Sequence, residues 1–251
     1  MRKFEIKEIN NHLWLLNDND EATGYIVAGN KMAMVIDTMF GFVNVKEEAE
    51  KLTGLPVICV NTHGHVDHIG GNRCFDEVYM SANDMELAKE HLKRPELKAA
   101  WEENGCVAPE VLPVKDGQVF DLGGVTLQIY ETPGHTAGEI MLLDKEDRIL
   151  FTGDGTVMHL WLQLDESLPL KTQIASMQRL QEVRSEFDYV LTGHSKELDD
   201  AVLFDDLLQA AIDLDNGNTE NDEEYSWFRG VCRAHPYGKG RLIAYTERTL
   251  K

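Results

Sequence analysis

Four short apolar runs in this chain end in the same way. "PVICV" leads into "NTHGHVDH", "VTLQIY" into "ETPGH", "RILF" into "TGD" and "DYVL" into "TGH". Each run has the Val, Ile, Leu and aromatic content of a buried strand. Each then enters a small-residue turn that carries an imidazole or a carboxylate. Helical patterns precede, separate and follow them: "NVKEEAEKLTG" with its glycine stop, "SANDMELAKEHLKRPELKAAWEENG" interrupted or restarted at Pro95, "PLKTQIASMQRLQEVRSEF" and "ELDDAVLFDDLLQAAIDLDNG". Alternating strands and helices predict an α/β layered protein. The early runs "HLWLLND", "GYIVAG" and "MAMVID" lie close enough for hairpins, so the sheets are expected to be mixed rather than all-parallel. "EIMLLDKEDRILFTGD" reads as a hairpin with a charged turn. The tail "WFRGVCRAHPYGKGRLIAYTERTL" reads as two strands around a Gly-rich turn, after an acidic loop "NTENDEEY".

If those strands align, their C-terminal ends gather on one rim, where sites are commonly built. Five of the nine histidines fall in the four turns. The candidates are His63, His65, Asp67, His68, His135, Asp154 and His194. A catalytic zinc ion usually takes three protein ligands and keeps one position open. Seven candidates are too many for one such ion and suit two. Imidazole and carboxylate without thiolate fit zinc, iron or manganese. An aspartate lying between two clusters can bridge ions roughly 3.5–4 Å apart.

Charge and composition narrow the classes. With 24 Lys+Arg against 44 Asp+Glu the formal charge is −20, which repels phosphate backbones and argues against nucleic acid as a partner. No apolar run approaches the roughly 18 residues that span a bilayer, and the N-terminal segment lacks a signal-peptide pattern. A cytoplasmic protein with a small-molecule substrate and no membrane partner is expected, with homo-oligomers left open. The four cysteines, Cys59, Cys74, Cys106 and Cys232, have no C-x-x-C spacing, so neither a disulfide framework nor a thiolate zinc site is expected.

"THGHVDH" resembles the T-H-x-H-x-D-H signature of the metallo-β-lactamase superfamily. "TPGHTAGEIMLL", "ILFTGD" and "LTGH" resemble its later metal-binding segments, in the family's order, across Gly24 to His194. The resemblance implies an αββα sandwich of two mixed β-sheets flanked by helices. It implies two divalent ions, zinc first, with iron or manganese as alternatives. His63, His65 and His135 would hold the first ion and Asp67, His68 and His194 the second, with Asp154 bridging. Asp37 matches an aspartate placed near the site in many members.

"TPGHTAGEIMLLDKEDRILFTGD" is similar to the hydroxyacylglutathione hydrolase (glyoxalase II) branch. The segment after Asp154, "GTVMHLWLQLDESLPL", and the tail depart from it. Cleavage of an ester, thioester or lactone by a hydroxide held between two ions is the implied reaction, with Asp67 as the catalytic residue that orients it. β-Lactam hydrolysis, phosphodiester hydrolysis and diiron redox chemistry are the alternatives; a Glu typical of the diiron branch is replaced by His65. The chain is read as one domain over residues 1–251, with residues 198–251 as a helix plus strand-pair extension. Met39, Phe40 and Trp161 are candidate pocket walls. His159 borders the cleft as either a substrate contact or a loop residue. No site role is expected for His12, His91 or His235, and Cys59 is a core residue.

Overall fold

The apolar runs pair into two main sheets that face each other. The computed structural model describes residues 4–95, 97, 108–227 and 230–251. The first sheet has seven strands in chain order: β1 (Glu5–Asn10), β2 (Leu13–Asp18), β3 (Ala22–Ala28), β4 (Ala33–Ile36), β5 (Val57–Val60), β6 (Glu77–Ser81) and β7 (Glu110–Val114). Tight turns make β1 to β4 antiparallel. Longer crossovers make β4 to β7 parallel. The first crossover carries α1 (Val45–Thr53), started by Asn44, whose side chain accepts from Glu47 N, and stopped by Gly54 in the left-handed region.

The second sheet takes β8 (Val119–Asp121), β9 (Thr126–Glu131), β10 (Ile140–Asp144) and β11 (Ile149–Gly153). β12 (His159–Trp161) is diverted elsewhere. The chain returns through β13 (Tyr189–Thr192) and the short β14 (Asp199–Asp200), giving the order β14-β13-β11-β10-β9-β8.

Alternation along the strands sends apolar side chains to both faces of each sheet. Leu15, Tyr25, Val27 and Ile36 meet Leu127, Ile129, Leu142 and Phe151 between the sheets. On the outer face of the first sheet, Ile26, Val35 and Cys59 pack under Val45 and Ala49 of α1. The short α2 (Val66–Ile69) and α3 (Met85–Leu92) follow β5 and β6. On the far side, Met141, Leu143, Leu150 and Val190 are covered by α4 (Leu170–Leu180) and α5 (Val202–Asp215) through Ile174, Met177, Phe204 and Leu207. The four layers are the expected αββα sandwich. No described helix is long and apolar enough to cross a membrane. The helix expected to continue past Pro95 falls largely outside the described residues.

The tail contains the expected strand pair and one strand more. It forms three strands, β15 (Glu223–Trp227), β16 (Gly230–Tyr237) and β17 (Arg241–Tyr245), and these capture β12 in a third sheet of order β12-β17-β16-β15. Glu223, Glu224 and Tyr225 of the expected acidic loop "NTENDEEY" belong instead to β15, a largely exposed edge with no buried face to impose alternation. β12 pairs parallel to β17, Leu160 opposite Ile243.

Phe151 is fully buried and meets the Tyr25 ring edge-on at 5.2 Å between the sheets. Phe151→Ala should lower unfolding free energy by about 3–5 kcal/mol. Val231→Ala, on a residue 68% exposed, should change it by no more than about 0.5 kcal/mol. Chemical denaturation of both variants checks the contrast.

Candidate metal centre

The four turns that carry the candidate ligands meet at one rim of the sandwich. β5 delivers His63, His65, Asp67 and His68, β9 delivers His135, β11 delivers Asp154 and β13 delivers His194. Main-chain bonds tie the two sheets together there: Ile140 N donates to Thr62 O at 2.9 Å, and Thr23 N donates to Gly193 O at 2.8 Å. The structure therefore brings all seven predicted residues together. His63, His65 and His135 form one cluster of ligand atoms within 4.8 Å of one another, and Asp67, His68 and His194 form another.

In the first cluster, His63 Nε2 and His135 Nε2 each lie 3.0 Å from His65 Nδ1. The outward nitrogens fix the tautomers. His135 Nδ1 donates to the Trp161 carbonyl at 2.8 Å. His65 Nε2 donates to Glu166 Oε1 at 2.9 Å. Thr62 Oγ1 gives its proton to Asp37 Oδ2 and accepts from His63 Nδ1 at 3.0 Å. Three imidazole lone pairs therefore point at one another, an arrangement that only a shared proton or a cation relieves. Burial, then the neighbouring His68 and His65, holds the His63 ring well below its ordinary pKa, and burial with His65 brings His135 down to about 4. Both rings are neutral at physiological pH, as metal ligation requires.

The second cluster is held by Asp37. Its Oδ1 accepts from Thr62 N at 2.8 Å and its Oδ2 accepts from His68 Nδ1 at 2.8 Å. Asp37 sits at φ +60°, a left-handed backbone that these bonds stabilise. His68 Nε2 then faces Asp67 Oδ2 and Asp154 Oδ1, each at 3.7 Å. Among the described residues, His68 Nε2 and Asp154 Oδ1 are buried with no hydrogen-bond partner. Burial alone would pull the His68 ring down, but Asp67, Asp154 and Asp37 outweigh it and lift it to about 10. Asp154 reaches both clusters, with Oδ2 3.7 Å from His135 Nε2 and 3.3 Å from His194 Nε2. Burial opposes its charge, yet the His194 and His68 rings hold its carboxyl well below the usual range. Gly193 leaves this space open, since a Cβ there would stand 2.3 Å from Asp154 Oδ1. Inward-facing imidazoles and orphaned buried atoms fit a divalent-metal site.

Four supporting residues were not identified from sequence. Asp84 accepts from Gly64 N, Gly138 N and Thr136 Oγ1, at 2.8, 2.6 and 2.7 Å, and so joins the two histidine turns. Glu139 Oε1 accepts from Asp154 N and Gly155 N. Glu166 orients His65, and it lies in the segment that departs from the hydroxyacylglutathione hydrolase pattern. His91, expected to have no site role, accepts from Val66 N at 3.0 Å and stacks on His65 at 5.1 Å. The only sequence signals were the Asn-Asp before α3, which marks a turn, and the departure itself.

Two cavities open beside the cluster, about 440 and 560 Å³, and share Asp154, Trp161 and His194. Phe40, Trp227 and Arg94 line the larger, and Val157 and Met158 the smaller. Trp161 and Phe40 are thus pocket walls as expected; Met39 is core. His159 is exposed at the smaller cavity, its ring 2.9 Å from the Gly240 carbonyl.

The model of the metallo-beta-lactamase superfamily matches residues 19–204. The sequence is 28% identical over 207 residues to an acyl-coenzyme A thioesterase of Gallus gallus, MBLAC2, covering 70% of this chain and 73% of that one. It is 29% identical over 203 residues to a hydroxyacylglutathione hydrolase of Hyphomonas neptunium, covering 74% and 72%. Among solved structures, the fold is similar to a metallo-beta-lactamase from Pontibacter korlensis, with TM-score 0.65 and 23% identity over 84% of this chain and 99% of that one.

Burial, with Asp154 and Asp84 nearby, pushes the Glu139 carboxyl well above its ordinary pKa. The folded chain then holds a proton that the unfolded chain gives up above about pH 4.3. The stability tied to that proton is present below this value and is lost as pH rises toward the raised folded pKa. Glu139→Gln keeps the acceptor without that slope. Thermal unfolding in chelator from pH 4 to 8 should show the variant gaining on the parent as pH rises. Glu139→Ala, which strands two amide donors, should lose about 2 kcal/mol or more throughout.

Proposed function

The chain belongs to the metallo-beta-lactamase superfamily, and from that premise we propose that it is a hydrolase that cleaves a small-molecule thioester or ester at a centre of two divalent ions. The observation that carries the reading is the convergence of His63 Nε2, His65 Nδ1 and His135 Nε2 on one point, with Asp154 reaching the Asp67, His68 and His194 cluster beside it. We assign the first three to one ion, the second three to the other, and Asp154 to both. Zinc suits this nitrogen and oxygen set, as do iron and manganese.

Two such ions, when bound, supply Lewis acidity and a hydroxide nucleophile near neutral pH. The chain supplies position and proton handling. Asp67, about one-fifth exposed and on the wall of the larger cavity, orients the nucleophile and passes a proton to the leaving group. Asp37, Glu166 and the Trp161 carbonyl keep His68, His65 and His135 in the tautomers that present their inner nitrogens. The cavities on either side of Trp161 accommodate the acyl and leaving-group arms of the substrate. Thioesters come first because the named relatives include an acyl-coenzyme A thioesterase and a hydroxyacylglutathione hydrolase. The acidic surface supports a small molecule, rather than nucleic acid, as partner.

Metal analysis followed by thioester, lactone, β-lactam and phosphodiester substrates on one sample tests this. Zinc-loaded protein should hydrolyse thioesters fastest, and Asp67→Asn should lower kcat by about 100-fold or more. Full thioesterase activity in metal-depleted Asp67→Asn protein would overturn the proposal. Bound iron with oxygen uptake would move the chain to the redox alternative.

The metal-free His68 ring keeps its second proton up to about pH 10. Loading at pH 7 should therefore release about one proton from this ring, and apparent metal affinity should fall as pH drops. Calorimetric titration in two buffers of different ionisation heat reads the proton count directly.

A further inference from the structure

At the end of the sandwich opposite the metal centre, two hairpins from different sheets touch. The β1–β2 turn carries Asn10, Asn11 and His12. The β10–β11 turn, "DKEDR", carries Asp144 and Asp147. One nitrogen of His12 and one oxygen from each aspartate lie within 4.8 Å of one another. Residues 135 positions apart in sequence, His12 and Asp147, are brought together only by the packing of the sheets.

Each side chain is held in place. Asn10 Nδ2 donates to Asp147 Oδ2 at 2.6 Å, and Asn10 Oδ1 accepts from His12 N at 3.0 Å. Asp144 Oδ1 accepts from Asp147 N at 3.0 Å. The His12 Nδ1 lies 2.9 Å from Asn11 Oδ1, an acceptor, so Nδ1 carries the proton and Nε2 the lone pair. That Nε2 lies 2.8 Å from Asp147 Oδ2 but outside hydrogen-bond geometry. Asp144 is fully buried, and among the described residues its Oδ2 has no hydrogen-bond partner. A buried carboxylate oxygen without a donor is costly. An imidazole lone pair and two carboxylates facing one another make a site that is short of positive charge.

We propose that His12, Asp144 and Asp147 form a separate divalent-cation site that holds one zinc- or manganese-type ion and pins the two sheets together at that end. One imidazole and two carboxylates suit such ions. Asn10 and Asn11 act as the outer hydrogen-bonding shell that fixes the orientation of Asp147 and His12. Burial, together with the charges of Asp147 and Glu146, pushes the Asp144 carboxyl up to about 6, which agrees with an oxygen awaiting a cation. The site shares no residue with the centre at the other rim, so it stands whatever that centre hydrolyses.

The test counts zinc on the full-length protein by equilibrium dialysis at buffered free zinc, followed by elemental analysis. The parent should bind one equivalent more than His12→Gln and one more than Asp147→Asn, with zinc affinity at this position weakened about tenfold or more in each. Thioester hydrolysis should stay at the parental rate in both, and zinc should raise the melting temperature of the parent by more than that of either variant. The two substitutions lie on different sheets, so if one variant fails to fold the other still gives the answer. Equal zinc counts in the parent and a folded variant would show that His12 and Asp147 merely touch without holding an ion, and would overturn the proposal.

Discussion

A neutral imidazole has one proton, and the side on which that proton sits decides what the other nitrogen can do. The centre depends on this constraint. For His63, His65 and His135 the fold places an acceptor behind the ring, a threonine hydroxyl, Glu166 and a backbone carbonyl, and Asp37 does the same for His68 once its second proton has left. These acceptors come from β12 and the loop after it, from the end of β4 and from the residue before His63. The inner nitrogens converge because the outer ones are anchored to the first sheet and to the third. The sheet-to-sheet apolar core, with Tyr25 against Phe151, sets the spacing at which those anchors meet.

The carboxylates follow a complementary logic. Asp84 and Glu139 are buried, and each binds main-chain amides of a ligand-bearing turn. Burial favours protonation of both, yet Asp154, equally enclosed, stays ionised because two imidazoles face it. Three acidic side chains in one small region therefore divide into two that brace the backbone and one that presents charge. Neighbours, rather than residue type, make the division.

Much of this was legible in the sequence. The strand ends and the ligand-type residues after them are local patterns, and "THGHVDH" places four candidates in one turn. An α/β layering followed from alternation and spacing, and the αββα order was implied by the family resemblance of the four turn motifs. Glu166, His91, Asp84 and Glu139 were not legible, because what they do depends on contacts that span 15 to 101 positions of sequence. His91 in particular sits at a helical position where a histidine carries no local signal. The third sheet escaped notice for a different reason. β15 and much of β16 are exposed, so burial did not write a period into them.

That third sheet has a consequence in time as well as in space. The segment carrying the Trp161 carbonyl and Glu166 is held by the last strand and the residues beyond it: Leu162 N donates to Ala244 O, Arg248 Nη1 to Ser167 O, and Leu170 N to Thr249 O. Two of the three imidazoles in the first cluster thus take their orientation from a loop secured by residues 241–249. On a ribosome, every candidate ligand would be synthesised before residues 241–249 emerged. The nascent chain would carry all seven candidates but leave His65 and His135 free to turn. The geometry of the first cluster would thus be completed late, by closure of residues 241–249 on the loop.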